Sequence, residues 1–179
     1  MYPSLFISHG AANIILGNSF SKKNIKKFAK TLEKPKYIII FSAHYITNDL
    51  KILDYEKPEL LYDFYGFEKE LYEYEYEINS DKFCSLKVLK HLESNNLNAS
   101  IHKGKNNFDH GVWTTLSMMY ENLDIPVVQI SLPRSFSDEH FLPLFIAFGS
   151  ALNKKGTSFN KEMVYSNISM ECFAFDIKD

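Results

Sequence analysis

Two stretches of this chain are almost continuously apolar and rich in β-branched residues: Tyr37-Ile38-Ile39-Ile40-Phe41 and Ile125-Pro126-Val127-Val128-Gln129-Ile130-Ser131-Leu132. A strand that is apolar on both faces has to be covered on both faces. That is the situation of a parallel sheet held between layers of helices. Helical patterns stand between the runs. Ile25, Phe28, Ala29 and Leu32 share one face before Pro35. Phe83, Leu86, Leu89 and Leu92 follow a capping Ser80, and Trp113, Leu116, Tyr120 and Leu123 are in phase. Near His140 another stripe, Phe141, Leu144, Phe145, Phe148 and Leu152, carries Pro143 in its first turn, where a missing N–H costs least. Strand and helix signals alternate, so the expected fold is α/β, with a mostly parallel central sheet and helices on both faces. Its central strands are expected at 4–8, 37–43 and 126–132, within a single domain spanning 1–179.

Shorter strands are expected at Leu50–Leu53, Ala99–His102 and, loosely, Met163–Phe175. Leu71-Tyr72-Glu73-Tyr74-Glu75-Tyr76-Glu77-Ile78 alternates strictly, which predicts a strand with an aromatic face and an acidic face turned to water. The formal net charge of -2 gives no field that would draw nucleic acid or an anionic membrane. Cys84 and Cys172 make neither a disulfide framework nor a metal spacing and read as small buried hydrophobes. No apolar run reaches the length of a membrane span, and the first residues lack the features of a signal peptide. The expectation is a soluble, cytoplasmic protein with no membrane or nucleic-acid partner.

Three histidines stand where such a fold displays its chemistry. His9 follows Leu5-Phe6-Ile7-Ser8, and His44 follows Ile38-Ile39-Ile40-Phe41-Ser42-Ala43. His110 opens a helix within Phe108-Asp109-His110-Gly111. Open α/β sheets bind ligands beyond the carboxyl ends of their strands. Imidazole is the commonest metal ligand and the usual acid/base near neutral pH. Together these residues predict a metal site with a proton shuttle. His91, on a helix, and His102, beside a lysine-rich turn, read as surface residues.

The motifs fall in an ordered series: Leu5-Phe6-Ile7-Ser8-His9-Gly10, Phe41-Ser42-Ala43-His44-Tyr45, Tyr62-Asp63-Phe64-Tyr65-Gly66-Phe67 and Glu70-Leu71-Tyr72. Asp109-His110-Gly111-Val112-Trp113, Ile125–Leu132, Glu139-His140-Phe141-Leu142-Pro143-Leu144 and Ser169-Met170 complete it. In this series the chain resembles the class III extradiol ring-cleavage dioxygenases, in the 4,5-DOPA dioxygenase-like branch of the LigB superfamily. The resemblance implies His9, His44 and His140 as metal ligands and His110 as the catalytic acid/base or substrate-orienting group. Asp109 would orient His110 or serve the turn. Tyr62, Asp63, Tyr65 and Tyr72 would line an aromatic substrate pocket or pack the loop. Fe(II) is the implied catalytic metal, and Zn(II) fits the same kind of site. The implied reactants are dioxygen and a small aromatic diol such as DOPA.

Two departures from the family pattern stand out. Ala11-Ala12 replaces the usual Ser-Pro after Ser-His-Gly. A block that normally carries a helix, a strand with a further active-site histidine and another helical stretch is missing, with the joint between Pro133 and His140. Losing a core strand leaves apolar surface that a homodimer would cover. Two readings follow: a metal-dependent extradiol dioxygenase impaired by the missing block, or a catalytically inactive metal- or ligand-binding remnant of the same fold. No HExxH or comparable signal supports a metallohydrolase.

Overall fold

In the computed structural model, residues 2–134, 142–152, 155–164 and 168–177 are described. Helices form in the expected stretches, although Phe83 (76% exposed) and Leu86 (38% exposed), expected to point inward, face out. Helix α1 (Phe20–Ala29) starts at Ser19, whose side chain accepts from the Lys22 N–H at 3.1 Å. Helix α3 (Lys82–Ser94) is capped by Asp81 rather than Ser80, its carboxylate accepting from the Cys84 N–H at 2.8 Å. Just beyond its end Asn96 takes a left-handed φ of 61°. Helix α4 (His110–Met119) is buried along nearly its whole length, and α5 (Leu142–Ser150) carries Pro143 in its first turn.

The α/β architecture is as expected. A four-stranded sheet has the order β2 (Ile38–Thr47), β7 (Val127–Pro133), β3 (Leu50–Ile52), β5 (Ala99–Ile101). β2 and β7 run parallel, as do β3 and β5, while β3 meets β7 antiparallel at Ile52 and Ile130. Helices cover both faces. On one, Val88 of α3 packs with Ile52, Val128 and Ile130, joined by Tyr37 and Phe41. On the other, Ile25 and Ala29 of α1 pack with Val112, Trp113 and Leu116 of α4, joined by Ile38 and Ile40.

Three expectations are corrected. Strand β1 (Ser4–Phe6) is not in the central sheet. It pairs antiparallel with β11 (Cys172–Phe175), which pairs with β8 (Gly156–Asn160) in a second sheet. Strand β2 is not central either: among the described residues its one ladder neighbour is β7, and Ile39 is 46% exposed at that edge. The alternating 71–78 segment is not a strand. Its start belongs to a short helix, α2 (Lys69–Tyr72), Glu73 turns, and the rest forms no ladder. The alternation still decides orientation. Leu71 and Ile78 are buried, Tyr74 and Tyr76 pack on the core, and Glu73, Glu75 and Glu77 face water. Side chains dock the segment, since the Tyr76 hydroxyl donates to the Leu116 and Tyr120 carbonyls.

Two minimal strands matter for the site. β4 (Glu59–Leu60) pairs parallel with β6 (Asn107–Phe108) and lays residues 61–64 beside the start of α4. A final hairpin of β9 (Met163–Val164) and β10 (Ile168–Ser169) precedes β11. Cys84 and Cys172 are both free thiols. Among the described residues no helix is long and apolar enough to cross a membrane.

Candidate metal centre

His44 reaches the site because β2 breaks register. Phe41 pairs with Ile130 and Ile46 with Leu132, so Ser42–Tyr45 bulge away opposite a single residue of β7. Bulges of this kind re-aim side chains. His9 leaves β1 on a turn in which Gly10 has φ 61°, and the Ser8 hydroxyl ties that turn to the Ser169 carbonyl at 3.0 Å. His110 is the first residue of α4 and only 8% exposed. The three rings converge, each offering a nitrogen within 4.8 Å of the others. His9 and His44 face each other through Nε2 atoms 3.3 Å apart. The His44 and His110 ring centroids are 4.0 Å apart, and those of His9 and His110 5.3 Å.

The donor set fits a transition metal. Two nitrogens each about 2.0–2.1 Å from a tetrahedral zinc lie roughly 3.3 Å apart, so the spacing needs little adjustment. Imidazole suits both zinc and iron. Burial, and then the neighbouring His110 and His44, push the His9 imidazole down to about 3, so it is neutral and ready to coordinate across the physiological range.

A carboxylate orients His110. Asp63 Oδ1 accepts from the ring Nδ1–H at 2.6 Å and from the His110 backbone N–H at 3.2 Å, thereby also capping α4. Burial opposes ionisation of Asp63, but its bonds to His110 outweigh this and hold its carboxyl below the ordinary range. With Nδ1 occupied, the His110 lone pair is on Nε2. Asp109, the alternative orienting group, is used elsewhere. It is buried, accepts from Ser42 Oγ at 2.5 Å and is joined by the Gln129 amide N–H. Ser42 Oγ in turn accepts the His44 backbone N–H at 3.2 Å, so Asp109 acts on the bulge that carries His44. Gly111 permits this packing: a Cβ there would sit 2.5 Å from Ser42 Oγ and 2.9 Å from His44 Cδ2.

The other expected residues are distributed around this centre. His140 lies outside the described residues, as does most of the 133–140 joint. Tyr62 packs on Trp113, and its hydroxyl donates to the Tyr74 carbonyl at 2.7 Å. Tyr65 is 92% exposed, and Tyr72 contacts Phe64 at the rim. Phe64, not singled out from the sequence, is the aromatic ring that meets His110 edge to face, with centroids 5.4 Å apart. His102 is not a simple surface residue either, because its Nδ1 lies 2.6 Å from the Tyr45 hydroxyl. Its place at the end of β5, within the strand expected at Ala99–His102, was the available signal. His91 is exposed, as expected.

Residues 6–166 match the family described as the catalytic LigB subunit of aromatic ring-opening dioxygenase. The chain belongs to the LigB family. A 4,5-DOPA dioxygenase extradiol of Escherichia coli is 31% identical over 133 residues, covering 74% of this chain and 48% of its own length. One from Beta vulgaris is 29% identical over 144 residues, covering 79% and 54%. This LigB chain thus spans about half the length of the curated relatives it matches. A crystal structure of an uncharacterised Escherichia coli K12 protein superposes with a TM-score of 0.76 at 18% identity, over 98% of this chain and 100% of that one. It shows the same fold.

Proposed function

We propose that this chain is a metal-dependent extradiol dioxygenase that opens the ring of a small aromatic diol, with DOPA as the representative substrate. The observation that carries this reading is the convergence of His9, His44 and Asp63-held His110 in a LigB chain. His9 and His44 would hold Fe(II), with His140 as the third ligand in this proposal. When bound, Fe(II) supplies the redox chemistry that lets dioxygen react with an aromatic ring; Zn(II) in the same site would not. His110 takes the proton from a diol hydroxyl at Nε2 and returns it later in the turnover. Asp63 keeps the ring in the required tautomer and stabilises the imidazolium once it forms. Phe64, edge-on to His110, helps exclude water and presents an apolar wall to the substrate ring.

The half-length match to the relatives favours a second reading, a metal- or ligand-binding remnant without turnover. Anaerobic loading of the purified chain with Fe(II), followed by oxygen and DOPA, separates the two. The yellow ring-opened product and matching oxygen uptake support the enzyme; retained metal without product supports the remnant. His44→Ala is expected to lose tight metal binding. Asp63→Asn is expected to keep the metal and lose about 10²–10⁴-fold in turnover. Unchanged turnover in Asp63→Asn would remove His110 from the assigned role. A homodimer closing over the exposed β2 edge belongs to the same proposal, and light scattering of the purified chain tests it.

A further inference from the structure

Beside the histidines lies a second constellation. Tyr45, in the same bulge as His44, is buried. Its hydroxyl pairs with His102 Nδ1 at 2.6 Å, and the Lys105 ammonium sits over its ring, 4.6 Å from the centroid. Lys105 lies just before β6, the strand that leads into Asp109 and His110. Lys105 is therefore bracketed by the two elements that deliver His44 and His110. It lines an open cavity of about 490 Å³, together with His102, Asn106, Tyr55 and Asp54. That volume suits a small organic ligand.

The lysine is poorly compensated. It is partly buried, and among the described residues its one hydrogen bond is to the neutral Asn107 side chain, at 2.9 Å. Among the described residues no carboxylate lies within 4.0 Å of its amine, Asp54 included. Burial lowers its proton affinity, and Asp109 and Asp63 act on it only from a distance, in the opposite direction. Asp54 and Lys103 line the same cavity with opposite charges. The Tyr45 hydroxyl is paired with His102 Nδ1, and burial, and then Lys105 and Lys51, push His102 down towards the neutral form. A partly buried cation without an ion partner is stabilised when an anion arrives.

We propose that Lys105 binds an acidic group, a carboxylate, on the aromatic substrate and so selects anionic over neutral diols. The proposal rests on the diol-cleaving reading above and adds the residue that would set specificity. The Tyr45 ring fixes the ammonium from below, His102 fixes the Tyr45 hydroxyl, and the cavity admits the acidic arm from solvent.

The test is calorimetric titration under nitrogen of the Fe(II)-loaded chain with three probes. These are dihydrocaffeate (diol and carboxylate), ethylcatechol (diol alone) and phenylpropionate (carboxylate alone). Dihydrocaffeate is expected to bind about tenfold or more tightly than ethylcatechol, the scale of one charge-assisted hydrogen bond. Lys105→Met should erase that preference and leave ethylcatechol affinity unchanged, while Lys105→Arg should keep most of it. An unchanged circular dichroism spectrum and melting temperature exclude misfolding of either variant. Equal binding of the two diols by the unaltered chain would overturn the proposal. So would a Lys105→Met variant that keeps the preference, or one that weakens both diols alike. If ethylcatechol fails to bind but phenylpropionate binds through Lys105, the acid site stands and the diol reading falls. If no probe binds, both fall.

Discussion

His9 and His44 arrive 3.3 Å apart from two sheets built in different ways. His44 rides on the four-stranded sheet, where the β2–β7 ladder is long and parallel and α3 and α4 cover opposite faces. His9 hangs from the antiparallel β1–β11–β8 sheet, where β1 is only three residues long and its partner lies at the far end of the chain. One half of the site stands on a long ladder covered by helices on both faces. The other depends on a closure between chain ends, which is entropically dearer and contributes less contact of its own. The metal site should therefore fail first on the His9 side.

The largest effects test this division directly. Trp113 is fully buried, and its indole N–H donates to the Leu61 carbonyl at 3.0 Å. Trp113→Ala is expected to cost about 3–5 kcal/mol in global stability by denaturant titration. Ala174 in β11 is also fully buried, and Ala174→Asp places an unpaired charge there at a cost of about 3 kcal/mol or more. The two losses should differ in kind. Native-state hydrogen exchange should show β1 and β11 opening in Ala174→Asp while β2 and β7 stay protected. Opening of all four together would make the two sheets one cooperative unit and end the comparison.

Two glycines sharpen it at smaller cost. Ala at Gly10 would carry a Cβ into the left-handed region at φ 61°, and the atom it meets, Met170 Sδ at 2.5 Å, belongs to a flexible side chain. Gly10→Ala is expected to cost about 1–2 kcal/mol of stability. Gly111→Ala instead meets Ser42 and His44, which the Asp109 network holds in place. It should displace His44 and weaken metal affinity more than it weakens the fold, since alanine favours the helix itself. Metal affinity in Gly111→Ala that matches the unaltered chain would show the bulge to be softer than its hydrogen bonds suggest.

Acid should act mainly through the His9 side. In the metal-free chain His9 is held down to about 3 from an ordinary 6.5. Between those values the unfolded state binds a proton that the folded state does not, so stability falls as pH falls through that window and is fully present above it. The slope from one such proton is at most about 1.4 kcal/mol per pH unit. Asp63, lowered by His110 against its burial, adds to the loss only below its ordinary value of 3.8. Urea midpoints measured from pH 7 down to pH 4.5 should fall less steeply in His9→Gln than in the unaltered chain. Parallel slopes would exclude His9 as the source.

How much of this was legible follows from the same division. The β2 and β7 runs, the α1 and α4 faces and the three converging histidines are local patterns, and each is present in the structure; the expected α3 face is only half right, since Leu89 and Leu92 pack on the sheet while Phe83 and Leu86 are exposed. The placement of β1 was not legible, because Leu5-Phe6-Ile7 suits either sheet and its partner Phe173-Ala174-Phe175 is distant in sequence. The orienting carboxylate was left open in the sequence for a related reason. Asp109 adjoins His110 in sequence, but a helix start turns its side chain towards Ser42 and Gln129, and the β4–β6 pairing brings Asp63 in instead. Lys105 escaped notice because a lysine-rich turn normally faces water.

The smallest effects concern the 71–78 segment, where alternation predicted a strand and the structure shows an irregular run held by side chains. If docking rather than a ladder fixes it, removing the Tyr76 hydroxyl bonds to Leu116 and Tyr120 should matter more than altering the acids. Tyr76→Phe is expected to cost about 1 kcal/mol, because the Tyr120 carbonyl loses its hydroxyl donor while the Leu116 carbonyl keeps the Tyr120 N–H. Glu75→Gln, on the water-facing row, should change stability by no more than about 0.5 kcal/mol. The order of the two is the test. A Glu75→Gln loss exceeding that of Tyr76→Phe would mean that the acidic row has a partner in the folded protein. The segment would then have to be counted with the elements that hold α4, and through it His110, in place.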